Sequence, residues 1–151
     1  MAAERRFEVR VTSAAPADEL YALLADAPSW RRWAGPMVTR SGWEVEPVAN
    51  RSGGVRRLGR PPWMVREEIL LADPPSRHAY RLLSGQPVRS YRAEVRLVEL
   101  DPTPGAAGGT RIEWSGTVVP MVPGTGRLMA ALLGRMVTGF ARRLAETDER
   151  P

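Results

Sequence analysis

Hydrophobic and polar residues alternate along "FEVRVTS" near the start of the chain. Phe7, Val9 and Val11 fall on one face, Glu8, Arg10 and Thr12 on the other, which is the period of a half-buried strand. The next stretch, "SAAPADELYALLADA", changes to helical spacing. Leu20, Leu23 and Leu24 form an apolar stripe, Asp18 and Glu19 suit the positive start of a helix, Pro16 suits its first turn, and Ser13 is a candidate cap. "PSWRRWAGP" predicts a second, short helix that ends at Gly35-Pro36. Its Trp30 and Trp33 are three residues apart and so share a face.

From residue 37 to 119 the period is two. "SGWEVEP", "GVRRLGR", "WMVREEILLAD", "RHAYRLLS", "VRSYRAEVRLVEL" and "TRIEWSGTVVP" read as strands. Turns rich in Gly, Pro, Asn and Asp separate them. Consecutive strands joined by short turns imply an antiparallel meander. The helical period returns in "PGTGRLMAALLGRMVTGFARRLAE". Leu128, Met129, Leu132, Leu133, Met136, Val137, Phe140 and Leu144 make a broad apolar face, and Thr125 is the candidate cap. "PGTGR" lacks the GK[ST] ending of a phosphate loop and reads as a helix start.

These elements predict an α+β fold of about seven antiparallel strands, with two short helices after the first strand and one long helix at the end. A curved sheet with one apolar face must bury it, and the long helix is the element large enough to lie across it. A sheet wrapped around a helix leaves a gap at one end, which is a ligand cavity. The 151 residues suit one domain, with an ordered core over about 5–146.

Composition narrows the function classes. The chain has no cysteine and one histidine, so thiol nucleophiles, disulfides and multi-histidine metal sites are excluded. No cofactor loop is present, and no metal or organic cofactor is expected. No apolar run approaches the roughly 20 residues of a membrane span, and the opening residues lack the apolar core of a signal peptide. A cytoplasmic protein without integral membrane association is expected, as a monomer or homodimer. The net charge of +5 would ordinarily raise nucleic acid as a partner. All 22 basic residues are arginine, however, and Lys, Ile and Asn are scarce together. That is the mark of a GC-rich genome. The acids are interspersed with the arginines, so nucleic-acid binding is not expected.

Alternation sorts the strand residues into an outer and an inner face. Arg66, Glu68, Arg81, Arg92, Glu94, Arg96, Arg111 and Glu113 form a mixed-sign outer lattice. The inner face takes Val65, Glu67, Ile69 and Leu71 from one strand, and His78, Tyr80 and Leu82 from the next. It also takes Tyr91, Ala93, Val95 and Leu97, then Ile112 and Trp114. Met136 and Phe140 of the long helix face the same space. Glu67 is the outlier, because an unpaired carboxylate in an apolar cavity is costly. A shifted register would instead leave Glu67 outside and put Glu68 in. If Leu58 points inward, Arg56 and Arg60 go with it, and Arg56 becomes a partner for Glu67 or for an acidic ligand. His78 is expected at a cavity end or rim.

The order of elements, with "PSWRRWAGP", "GGVRRLG", "VREEILLADPPSRHAYRL", "SGQPVRSYRAEV" and "GGTRIEWSG", resembles the START-like superfamily, also called the helix-grip or SRPBCC fold. It is most similar to its polyketide cyclase/dehydrase and lipid-transport branch. The series is also similar to plant abscisic-acid receptors. That resemblance implies a pocket lined by Glu67 and Tyr91, with "LGRPP" (58–62) and "SGQP" (84–87) as gate and latch. The aromatase/cyclases of this fold imply a pocket arginine that holds a polyketide, a role open to Arg56.

Three readings stay open, because a fold does not fix a function. A binding module would hold a small hydrophobic molecule, aromatic polyketide-like or lipid-like, against Glu67, Tyr91, Tyr80, Trp114, Arg56, Ile69, Phe140 and Met136. A cyclase or dehydratase would use Glu67, Tyr80, Tyr91 or Arg56 for proton transfer and enolate stabilisation, leaning on substrate positioning. An interaction module would need an exposed apolar patch.

Overall fold

The structure, a computed structural model, describes residues 3–147. Strand β1 (Arg5–Ser13) leads into α1 (Ala17–Ala25), a 3-10 turn (Ala27–Ser29) and the one-turn helix α2 (Trp30–Trp33). Six strands follow: β2 (Arg40–Val45), β3 (Val55–Arg60), β4 (Trp63–Asp73), β5 (Arg77–Ser84), β6 (Val88–Leu100) and β7 (Gly109–Pro120). Helix α3 (Gly126–Glu146) ends the chain's regular structure. All neighbouring strands run antiparallel in one curved sheet, ordered β1-β7-β6-β5-β4-β3-β2. The meander from β2 to β7 is thus continuous, and β1 adds to its far edge. No helix among the described residues is long and apolar enough to cross a membrane.

Helix α3 lies against β1 and β7 through a stripe of Ala130, Leu133, Val137, Phe140, Ala141, Leu144 and Ala145. Small residues let it come close: a Cβ at Gly134 would lie 3.3 Å from the Phe7 Cβ. The buried stripe is narrower than the sequence predicts. Leu128 and Leu132 are more than half exposed, because they sit on the flank turned away from the sheet. Trp30 is buried and packs edge-on to both Trp114 and Phe140, with centroids 6.0 and 5.5 Å apart, so α2 closes one end of the sheet–helix sandwich.

Neither proposed cap works as one. Pro16 holds the N-cap position of α1, while the Ser13 hydroxyl donates to the Ala145 carbonyl at 2.7 Å and accepts from the Ala15 amide at 3.1 Å. Ser13 therefore ties the end of β1 to the end of α3. Thr125 occupies the N-cap position of α3, but its hydroxyl donates backwards to the Val122 carbonyl at 2.6 Å.

Two β-bulges between β4 and β5 modify the alternation there. Pairing runs Ile69 to Tyr80 and then Leu71 to Ala79, which leaves Leu70 as an extra residue on β4. The next residues change faces. Leu71, expected inside, is turned to the outer side with Ala79, and Ala72 faces inward opposite His78. On β5, Leu83 is the extra residue between Leu82 and Ser84. The outer face carries the mixed-sign lattice as ion pairs: Arg81 to Glu68 at 2.6 Å, Arg66 to Glu44 at 2.7 Å, Arg77 to Glu94 at 2.7 Å and Arg111 to Glu113 at 2.7 Å.

Candidate functional site

A cavity of about 460 Å³ opens between the sheet and α3, within the usual range for small-molecule sites. Its walls are Trp30, Val38, Leu58, Val65, Tyr80, Met136 and Phe140, with Glu67 as the charged group among them. Pro36, Met37, Gly59, Arg60, Trp63, Gly85 and Gln86 border it toward solvent, and Met37 and Trp63 are largely exposed.

Glu67 is inside and Glu68 outside, so the unshifted register holds. Arg56 and Glu67 lie directly opposite each other on β3 and β4. The Arg56 Nε donates to Glu67 Oε1 at 2.9 Å, with the arginine fully buried and the glutamate nearly so. The guanidinium is sandwiched between the Trp30 and Tyr80 rings, 4.6 and 4.5 Å from their centroids. Ring faces attract a cation and offset part of the cost of removing it from water. Its Nη1 reaches the Leu24 carbonyl at 3.5 Å, and its Nη2 has no partner among the described residues. Burial raises the Glu67 carboxyl above the ordinary carboxylate range, while the Arg56 charge and hydrogen bond pull it back. Arg60 does not share this environment. It is exposed at the cavity's edge, because the β3–β4 turn begins there.

Behind the Tyr80 ring runs a short polar chain. The Trp114 Nε1 donates to Tyr80 Oη at 3.2 Å, and the Tyr80 and Tyr91 hydroxyls share a hydrogen bond at 3.2 Å. Burial, then the Glu67 charge, raise the Tyr80 phenol; burial, then Tyr80, raise that of Tyr91. Both tyrosines are therefore neutral near pH 7. They serve as hydrogen-bonding groups rather than phenolate bases.

Of the eight residues singled out in the sequence, Glu67, Tyr80, Met136 and Phe140 border this cavity. Arg56, Tyr91 and Trp114 stand behind that wall and hold Glu67 and Tyr80 in place. Ile69 is buried but turns to a smaller, separate cavity beside Tyr21, Trp43 and His78. His78, expected at a cavity end or rim, is 1% exposed and borders that smaller cavity. Sequence reasoning missed Trp30, whose pairing with Trp33 gave a face but not a neighbour. It also missed Gln86, the chain's only glutamine, whose Oε1 is buried at the edge of the larger cavity with no partner among the described residues. The loop that carries Gln86 was legible; the side chain's direction was not.

Segments 58–62 and 84–87 both flank the opening, and each needs a glycine. Gly59 and Gly85 have φ of 148° and 109°, and a Cβ at Gly59 would collide with the Trp63 carbonyl, one at Gly85 with the Met64 carbonyl.

The comparisons with known proteins fit this geometry. Among solved structures, the chain is similar to a di-domain aromatase/cyclase, StfQ, from the steffimycin biosynthetic pathway, with a TM-score of 0.75 and 16% identity. That match covers 94% of this chain and 50% of the other, so the chain spans half of the di-domain protein. The Zhui aromatase/cyclase from a Streptomyces species matches with a TM-score of 0.73 and 22% identity over 95% of this chain and 92% of its own. A START superfamily protein from Mycobacterium smegmatis matches with a TM-score of 0.75 and 15% identity, over 93% and 94% of the two chains. At these identities the likeness carries the helix-grip fold. No curated protein sequence matches the chain. The family model described as polyketide cyclase / dehydrase and lipid transport matches residues 4–149, nearly the whole sequence, and the chain belongs to that family.

Proposed function

We propose that the larger cavity binds a small, mostly apolar, planar molecule of the aromatic polyketide type. The observation that carries this reading is the cavity itself: aromatic and aliphatic walls around one carboxyl group, Glu67, that is held from behind by Arg56. Trp30, Tyr80 and Phe140 offer flat or edge-on contacts to a ring system, and Glu67 and Gln86 offer the polar anchors. A lipid chain would use the apolar walls but leave both anchors unmet, which favours a guest with hydroxyl or carbonyl groups.

A second reading adds chemistry. The Glu67 carboxyl, raised by burial, exchanges a proton closer to neutral pH than a solvated glutamate does. It suits the proton transfers of a cyclisation with loss of water: it takes a proton next to a ketone as the enolate carbon bonds to a second ketone carbon, returns that proton to the new alkoxide, then takes a second such proton and gives it to the hydroxyl that leaves as water. The Arg56 charge behind it would stabilise the carboxylate between those steps.

Thermal unfolding with a tricyclic hydroxylated aromatic and with a fatty acid tests the binding. The aromatic at 100 times its Kd should raise Tm by roughly 5 °C or more, and the fatty acid by less. Equal shifts would favour a lipid guest, and no shift with either would sink the reading. Glu67→Gln should weaken the aromatic about tenfold. If Glu67→Gln retains binding but removes turnover of a poly-β-ketone, the cyclase reading stands. If the unmodified protein gives no turnover, that reading fails while binding survives.

A further inference from the structure

The larger cavity leaves the only histidine unexplained. His78 lies on β5 opposite Ala72 and Val95, 1% exposed, and neither ring nitrogen has a hydrogen-bond partner among the described residues. Burial, then the nearby Arg56 charge, lower it to about 3, so the imidazole is neutral, with one N–H donor and one lone pair. Buried polar groups are rarely left unmatched. Tyr21 packs edge-on to the ring at 5.8 Å, and its buried hydroxyl lies by the Asp73 backbone without a well-formed hydrogen bond among the described residues. Both border the second cavity, of about 320 Å³, which shares no lining residue with the larger one. On β4, Glu67 faces the larger cavity and Ile69, two residues on, the smaller. The remaining walls are mostly apolar, including Trp43, Ala25 and Ala72, with Asp26 and Arg51 exposed at the rim.

We propose that this second cavity is a binding site for a small neutral phenol, whose hydroxyl donates to the His78 lone pair while its ring lies among Trp43, Ile69 and Ala72. The volume is at the low end for ligand sites and suits a single- or double-ring molecule. A cation would find a neutral imidazole and a phenol inside, with the nearest lining carboxylate, Asp26, out at the rim beside Arg51. An anion would exchange its hydration for a neutral imidazole and a phenol, which is unfavourable. A hydroxyl both donates and accepts, so it meets the imidazole and can take a hydrogen bond from Tyr21. The proposal does not rest on the ligand reading of the larger cavity.

The single imidazole makes the test direct. The full chain, labelled with ¹⁵N-histidine, is titrated with p-cresol, and the ring nitrogen signals are followed. The acceptor nitrogen should shift saturably. Ala25→Leu, which fills the smaller cavity from a half-buried wall position, should weaken the effect at least tenfold; Ala22→Leu, at its exposed rim, serves if the first variant unfolds. Met136→Trp, which fills the larger cavity, should leave it unchanged. 4-Methylanisole, with no hydroxyl proton, should bind at least tenfold more weakly. A cavity that holds water only gives no shift, and this overturns the proposal. So does a shift that survives both filling variants, one abolished by Met136→Trp, or equal binding of 4-methylanisole.

Discussion

Glu67 and Glu68 are neighbours in the chain, both paired with an arginine across a strand boundary, yet they sit in two different solvents. Glu68 meets Arg81 at 2.6 Å on the outer wall, with the arginine half exposed. Glu67 meets Arg56 at 2.9 Å in the interior, beside a cavity and between aromatic rings. The contact lengths barely differ. What differs is the water: the outer pair stays partly hydrated and gains little by pairing, whereas the inner pair has given up its hydration and depends on its partner. Distance alone therefore does not rank these bridges, and the interior one is the poised group.

Breaking the inner pair gives the largest expected effect. Arg56→Ala should lower stability by about 3–5 kcal/mol in urea unfolding, because it leaves the Glu67 charge buried. The pair Arg56→Met with Glu67→Leu should recover most of that loss. If Arg56→Ala costs no more than a surface change, the interior pair is not desolvated as described. Next comes pH. The folded His78 is lowered to about 3 from an ordinary 6.5, so as pH falls below 6.5 the unfolded chain takes up a proton that the folded chain refuses. Its contribution to stability is present above pH 6.5 and is lost as pH falls toward 3, at about 1.4 kcal/mol per pH unit. Glu67, raised by burial, acts in the opposite sense, its contribution fading as pH rises above 4.5. The difference between the unmodified protein and His78→Phe over pH 5–6.5 isolates the histidine; a flat difference would show that His78 is hydrated. The smallest effect belongs to the outer pair. Arg81→Ala should cost about 1 kcal/mol or less, and a double-mutant cycle with Glu68→Gln should give a coupling that falls as salt is added.

The alternation that separates Glu67 from Glu68 is written in the residues of β4, and so are the inward positions of Tyr80, Tyr91 and Trp114. The order of strands and helices was equally plain, since each strand from β2 to β7 ends at, or within two residues of, a Gly, Pro or Asp, and α3 keeps its helical period for 21 residues. What was hidden depends on a neighbour. The bulge at Leu70 exists only in the pairing of β4 with β5, and it sends Leu71 outward. Period alone puts Ile69 and Glu67 on one face; it does not tell that the space over that face is divided in two. Leu128 and Leu132 look like core because they are leucine, and only the sheet's position decides which flank of α3 is covered. The hydroxyls of Ser13 and Thr125 have cap chemistry, but each finds a different carbonyl in space.

Gly59 and Gly85 lie on opposite sides of β4, and each presses against the backbone around Met64 with no room for a side chain. The width of the opening is thus fixed by main chain, like a door frame set in masonry. A lineage of such proteins could not retune its guest by enlarging residues at 59 or 85 without moving the strand between them. Its room for change lies in the side chains hung on that frame, Met37, Arg60, Trp63 and Gln86, so new preferences can arise there while the sheet beneath stays as it is.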